Sequence, residues 1–149
     1  MASGTSERVV RPATDWLRPY VVSYAGYHLP RAPGRPRVSL PAATVTLLLG
    51  WGDPLNVLTG SRQDAPASAW QGLLAGLRTG PLRSYYLGTA HAVQVEFTPL
   101  GAYTCLGVPM HHLANTLVDP DAVLGRGWTA TVTGRLAAAP GLGSTLRRS

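Results

Sequence analysis

The sequence predicts one layered α+β domain, a small barrel or sandwich of short strands with helices packed outside it. Three observations lead there. A chain of 149 residues holds one core and has too little surface to bury a second. Hydrophobic residues make up 45% and charged ones 13%, while Gly (17) and Pro (13) are frequent; such a chain fills a core but turns often. Up to Pro99 the apolar residues follow strand patterns, and beyond it they take helical spacing.

Residues 1–10 read as a flexible start, 11–139 as the domain and 140–149 as a linker-like tail. Leu17 to Tyr27 (LRPYVVSYAGY) is rich in Val and Tyr and predicts a strand. The stretch Pro30 to Pro36 predicts a loop, because proline has no ladder donor. Arg37 to Trp51 predicts one or two strands, and its apolar part, ATVTLLLGW, belongs at the centre of a sheet. Gly52-Asp53-Pro54 marks a turn, with Leu55 to Thr59 as the return strand of a hairpin and Gly60 to Ser68 as a loop. Gly72 to Leu87 predicts two or three short strands broken at Gly80-Pro81. His91 to Thr98 alternates, with Val93, Val95 and Phe97 on one face and Gln94 and Glu96 on the other.

After Pro99 the spacing changes. Leu100 to Gly107 predicts a helix closed by glycine at C′, and Met110 to Leu117 a second short one. Asp119-Pro120 supplies an N-cap and an early proline for a third. Trp128 to Ala139 predicts a last helix with Val132, Leu136 and Ala139 on one side, although its alternating threonines leave a strand open.

The formal charge is +6, from thirteen arginines and no lysine against seven acids. The arginines are scattered along the chain and form no stripe for a phosphate backbone. Cys105 is the single cysteine, which excludes an intramolecular disulfide and a thiolate cluster. Met1 to Asp15 has no apolar leader core. The apolar run Ala42 to Trp51 is about half of the ~20 residues that span a bilayer. A cytoplasmic protein without membrane contact is expected.

Four segments in order, LRPYVVSYAGY (17–27), VSLPAATVTLLLGWGDPLNVL (38–58), HAVQVEFTPLGAYTCLGVPMHHLANTLVD (91–119) and AVLG (122–125), resemble the N-terminal domain of actinobacterial AraC-type transcription regulators. The resemblance covers about 9 to 139. It implies a cupin-like β-barrel or jelly roll followed by a C-terminal helical segment. It also implies that the domain senses a small-molecule effector and forms homodimers or mixed dimers with related regulators. In the family a helix-turn-helix domain follows; the chain ends at Ser149 without one, so no direct DNA binding is expected of it.

Other chemistries fit less well. Leu100 to Leu117 mimics a helix-turn-helix, but its second half offers His111, His112 and Asn115 and no arginine. Metal-binding cupins carry His-x-His before a glutamate; here Val93 stands at the second histidine position after His91, which leaves His91, Glu96 and His28 as a conceivable ligand set for a small metal enzyme. Cys105 is expected in an apolar, inert setting. No nucleophile elbow, phosphate-binding glycine loop or carboxylate pair is present. No enzyme activity, metal or cofactor is therefore expected. A barrel interior can hold one ligand. The candidate lining residues are Tyr24, His28, Arg37 and Thr46 on the earlier strands, then Trp51, His91, Gln94 and Glu96.

Overall fold

A computed structural model describes residues 7–41, 43–58, 67–107 and 109–138. Nine strands occur among them: β1 Glu7–Pro12, β2 Val21–Pro33, β3 Arg37–Ser39, β4 Val45–Gly52, β5 Leu55–Leu58, β6 Ala67–Trp70, β7 Gly72–Ala75, β8 Leu82–Phe97 and β9 Leu117–Val118. Three helices follow the long strand: α1 Pro99–Leu106, α2 Pro120–Leu124 and α3 Trp128–Ala138. All strand pairings are antiparallel. The fold is thus an α+β one, mostly antiparallel sheet with a few short helices.

The sheet is organised by β8, which has 16 residues. Its C-terminal part lies between β2 and β4 in the order β1-β2-β8-β4-β7-β9. Its N-terminal part pairs with β3 and β5, and β5 pairs in turn with β6. Two sheets therefore share one strand. Gly88 divides its two parts at φ +96, a backbone region that L side chains rarely adopt. The Thr89 N–H donates to Asp53 Oδ2 at 2.8 Å, and the Asp53 N–H donates to the Thr89 carbonyl at 2.8 Å.

Side-chain alternation gives each face its own core. Val45, Leu47, Leu49, Leu74, Val93 and Phe97 point to the helical side and pack with Leu113, while Trp128, Val132 and Leu136 of α3 cover them at i, i+4, i+8 spacing. The other face puts Leu48, Leu73 and Ala92 of the large sheet against Leu55 and Val57 of the small one. That second core shows that the small sheet folds over the large one.

The closing glycine of α1 and the Asp119 cap read from sequence are present, and Thr98 adds a cap that was not expected. Thr98 Oγ1 accepts from the Gly101 N–H at 2.9 Å to start α1, and Gly107 ends it at φ +71. Asp119 caps α2. Asp121 Oδ1 accepts from the Thr129 N–H at 2.8 Å in the first turn of α3, and this bond holds the carboxyl below its ordinary range. The open alternative at 128–138 resolves as helix; Ala139 and the expected tail at 140–149 lie outside the described residues.

Several expectations are corrected. The sheet begins at Glu7, ahead of the domain start expected at 11; residues 1–6 lie outside the described residues. Pro30 and Pro33 belong to β2 rather than to a loop. They are tolerated because β1 pairs only as far as His28, and β2 has two residues between Leu29 and Ala32 where β8 has one, Thr89. β5 does not return along β4, since both edges of β4 are already taken by β7 and β8. The strands expected before Leu87 and after His91 are one strand, and part of the loop expected at 60–68 is β6. Met110 to Leu117 forms a 3-10 turn at Met110–His112 and then β9, so the second helix of a helix-turn-helix is missing. No helix among the described residues is long and apolar enough to cross a membrane.

The two glycine environments make opposite predictions in urea denaturation. Gly88→Ala, at positive φ with Asp53 against its Cα, is expected to cost at least about 1 kcal/mol. Gly134→Ala, exposed inside α3 with nothing near it, is expected to add about 0.5–1 kcal/mol.

Candidate functional site

The inner face of β8 carries its even-numbered residues. From Leu82 they run Ser84, Tyr86, Gly88, Ala90, Ala92, Gln94 and Glu96. Glycine and alanine occupy the middle, where the strand folds over and the two alanines are almost wholly buried. Longer side chains occupy both ends and face a cavity of about 540 Å³ between the two sheets. A volume of that size suits one small organic ligand.

One wall is polar and internally satisfied. Glu96 accepts from Thr44 Oγ1 at 2.6 Å, from Thr46 Oγ1 at 2.8 and 3.0 Å, and from Gln94 Nε2 at 2.5 Å. Tyr27 donates to Gln94 Oε1 at 3.3 Å. Both carboxylate oxygens are thereby engaged, which lets a charge sit half-buried beside leucines. Leu48, Leu55, Leu73 and Leu82 line the apolar side, and Arg37, Arg78 and Tyr86 complete the enclosure. Burial pushes the Tyr86 hydroxyl up to about 12, with Tyr27 adding to the shift and Arg37 opposing it.

Of the eight residues expected to line a pocket, Arg37, Thr46, Gln94 and Glu96 do so. The remaining four lie on the opposite face. Tyr24 is part of the helix-covered core, and burial, with a smaller contribution from Cys105, raises its hydroxyl pKa. His28, His91 and Trp51 stand side by side on β2, β8 and β4 and form a ladder of parallel rings. Ring centres are 4.4 Å apart for His28 and His91, at 6°, and 5.6 Å for His91 and Trp51, at 3°. His91 and Glu96 differ in parity on one strand and His28 stands opposite His91, so the sheet lies between both histidines and Glu96, which are not brought together as metal ligands. Parallel imidazoles also direct their lone pairs side by side rather than at one ion. Cys105 is exposed on α1, not enclosed by apolar neighbours as expected.

Sequence reasoning missed Tyr27, Thr44, Arg78, Ser84 and Tyr86. The signal for Ser84 and Tyr86 was their shared parity with Gln94 and Glu96, hidden by ending one strand region at Leu87 and starting the next at His91. Arg78 follows β7 in a connecting segment and carried no signal.

A second, more open depression of about 530 Å³ lies between Gly50–Gly52, Gly72 and α3. Its carboxylates are already committed: Asp119 Oδ1 accepts from the Asp121 N–H at 2.9 Å, and Asp121 accepts from Gly127 and Thr129. Gln71, Thr129 and Thr133 also line it, and Thr129 Oγ1 is buried there without a hydrogen-bond partner. Compared with protein-family models, curated proteins and solved structures, the chain finds no match.

The ring ladder predicts an acid-sensitive imidazole. Burial first, and the neighbouring His28 second, lower the His91 pKa from its ordinary 6.5. Its contribution to stability is therefore complete above about pH 6.5 and is lost as pH falls toward the folded value, because the unfolded chain takes the proton first. In an NMR titration His91 should protonate below pH 6.5, and His28→Gln should move its midpoint part of the way back up. An unchanged midpoint in that variant would remove His28 as a cause.

Proposed function

We propose that this chain is the ligand-sensing and dimerisation domain of an AraC-type transcription regulator, with a cupin-like barrel that binds a small-molecule effector. The observation that carries the reading is the cavity between the two sheets, where the Glu96 carboxylate is held by donors from three side chains. A catalytic carboxylate needs freedom to exchange protons with a substrate. Glu96 is instead a fixed part of a wall, which suits recognition.

Two further facts support the reading. The four ordered segments that resemble the family contribute β2, β4, β8, α1 and α2, which frame both cores. Large apolar side chains are exposed at Trp16, Leu40, Leu87, Leu100 and Tyr103, which gives a second copy apolar surface to bury. In this reading the protein works in the cytoplasm and affects DNA through partners. Mixed dimers with related regulators are one route. The metal-enzyme alternative loses its ligand set, because the sheet separates His28 and His91 from Glu96.

Effector binding is tested by thermal shift on the native chain. A ligand at a hundredfold its Kd adds about 2.7 kcal/mol of apparent stability. Compounds that raise Tm should lose the effect in Ser84→Trp, which fills the cavity with an indole. An equal shift in that variant would place binding elsewhere. Sedimentation at micromolar concentrations should show dimers, and monomer throughout would contradict the dimerisation half of the reading.

A further inference from the structure

The cavity's charges do not balance internally. Among the described residues, two guanidinium groups, Arg37 and Arg78, and one carboxylate, Glu96, line it. The ion pair found among the described residues is Arg18 with Asp15, at the surface and on the chain before β2. Neither cavity arginine is within ion-pair reach of Glu96, whose oxygens are filled by Thr44, Thr46 and Gln94.

Arg78 is the more telling of the two. Its Nη2 donates to the Leu40 carbonyl at 3.3 Å, and its Nε–H is buried without an acceptor. Arg78 is half-buried, with its Nη2 bond at the exposed rim, so an anion in the cavity would meet an Nε–H that has no acceptor to give up. Arg37 is exposed on β3 opposite Ser84 of β8, at the rim of the same cavity, and its charge is felt at the Tyr86 hydroxyl. Two planar forks on one cavity are suited to a carboxylate, which they meet bidentately.

The Glu96 wall has the opposite preference. The Thr44 and Thr46 hydroxyls each spend their one hydrogen on Glu96, and Tyr27 spends its own on Gln94. What these oxygens still offer is lone pairs. That wall therefore receives a donor, such as a hydroxyl, and gives little to an acceptor. Between the two kinds of wall lie leucines.

Resting on the effector-binding reading above, we propose that the ligand is a hydroxylated carboxylic acid with an apolar body. Its carboxylate is received by Arg78 and Arg37 and its hydroxyl by the Thr44–Thr46–Glu96 wall.

The test uses the full chain and calorimetry with p-hydroxycinnamate and ω-hydroxydecanoate, each beside its carboxamide and the acid lacking the hydroxyl. At least one hydroxy acid should bind at least about tenfold more tightly than both of its analogues. Arg78→Met should remove most of the preference for acid over carboxamide, because acid affinity falls further than carboxamide affinity. Arg37→Met serves the same purpose should the first variant fold poorly, with circular dichroism as the check. Carboxamides binding as well as acids, or a preference that survives both substitutions, overturns the carboxylate assignment and leaves the cavity reading intact. Binding by neither acid nor amide, together with no Tm shift from a wider panel of neutral and cationic compounds, overturns both.

Discussion

Everything that positions the cavity depends on β8 belonging to two sheets. A strand of 16 residues that stayed straight would span about 50 Å and could not bring its two ends around one space. Gly88 permits the backbone conformation that redirects it, and the reciprocal Asp53–Thr89 hydrogen bonds pin that place to the end of β4. The small residues at Gly88, Ala90 and Ala92 let the inner face close without overlap. Side-chain size along a single strand thus sets where the interior is filled and where it stays open.

The same alternation separates two functions that the residues alone would mix. Glu96 and His91 are five apart in sequence and point to opposite sides of the sheet. On the inner side, donors from three neighbouring side chains surround the carboxylate. On the outer side, the histidine is held between His28 and Trp51 in a ladder of parallel rings, where burial and a neighbouring imidazole disfavour its charge. A change at one face need not disturb the other. Dispersion and ring stacking govern the outer ladder, whereas hydrogen-bond direction governs the inner wall.

Local signals were legible in the sequence. The alternation of His91 to Thr98, the glycine at the end of α1 and the aspartate before Pro120 each correspond to an element or cap in the structure, because each rests on geometry within a few residues. Long-range pairing was less legible. The partners of β5, the continuity of β8 through Gly88 and the accommodation of Pro30 and Pro33 depend on which edges other strands leave free. Half of the expected pocket residues line the cavity for the same reason: parity within a strand is visible, but which side faces an opposing sheet is decided by segments far away in sequence. Arg78 was invisible, since its place follows from a connection that no periodicity describes.

The central claim is that the inner face of β8 receives the ligand, and amide chemical-shift mapping tests it most directly. A compound that raises Tm should be titrated into the labelled protein. The account predicts shifts concentrated at Thr46, Ser84, Tyr86, Gln94 and Glu96, with Arg37 and Arg78 moving in step. Shifts confined to Trp51, Gln71, Asp121 and Thr129, around the open depression beside α3, would contradict it.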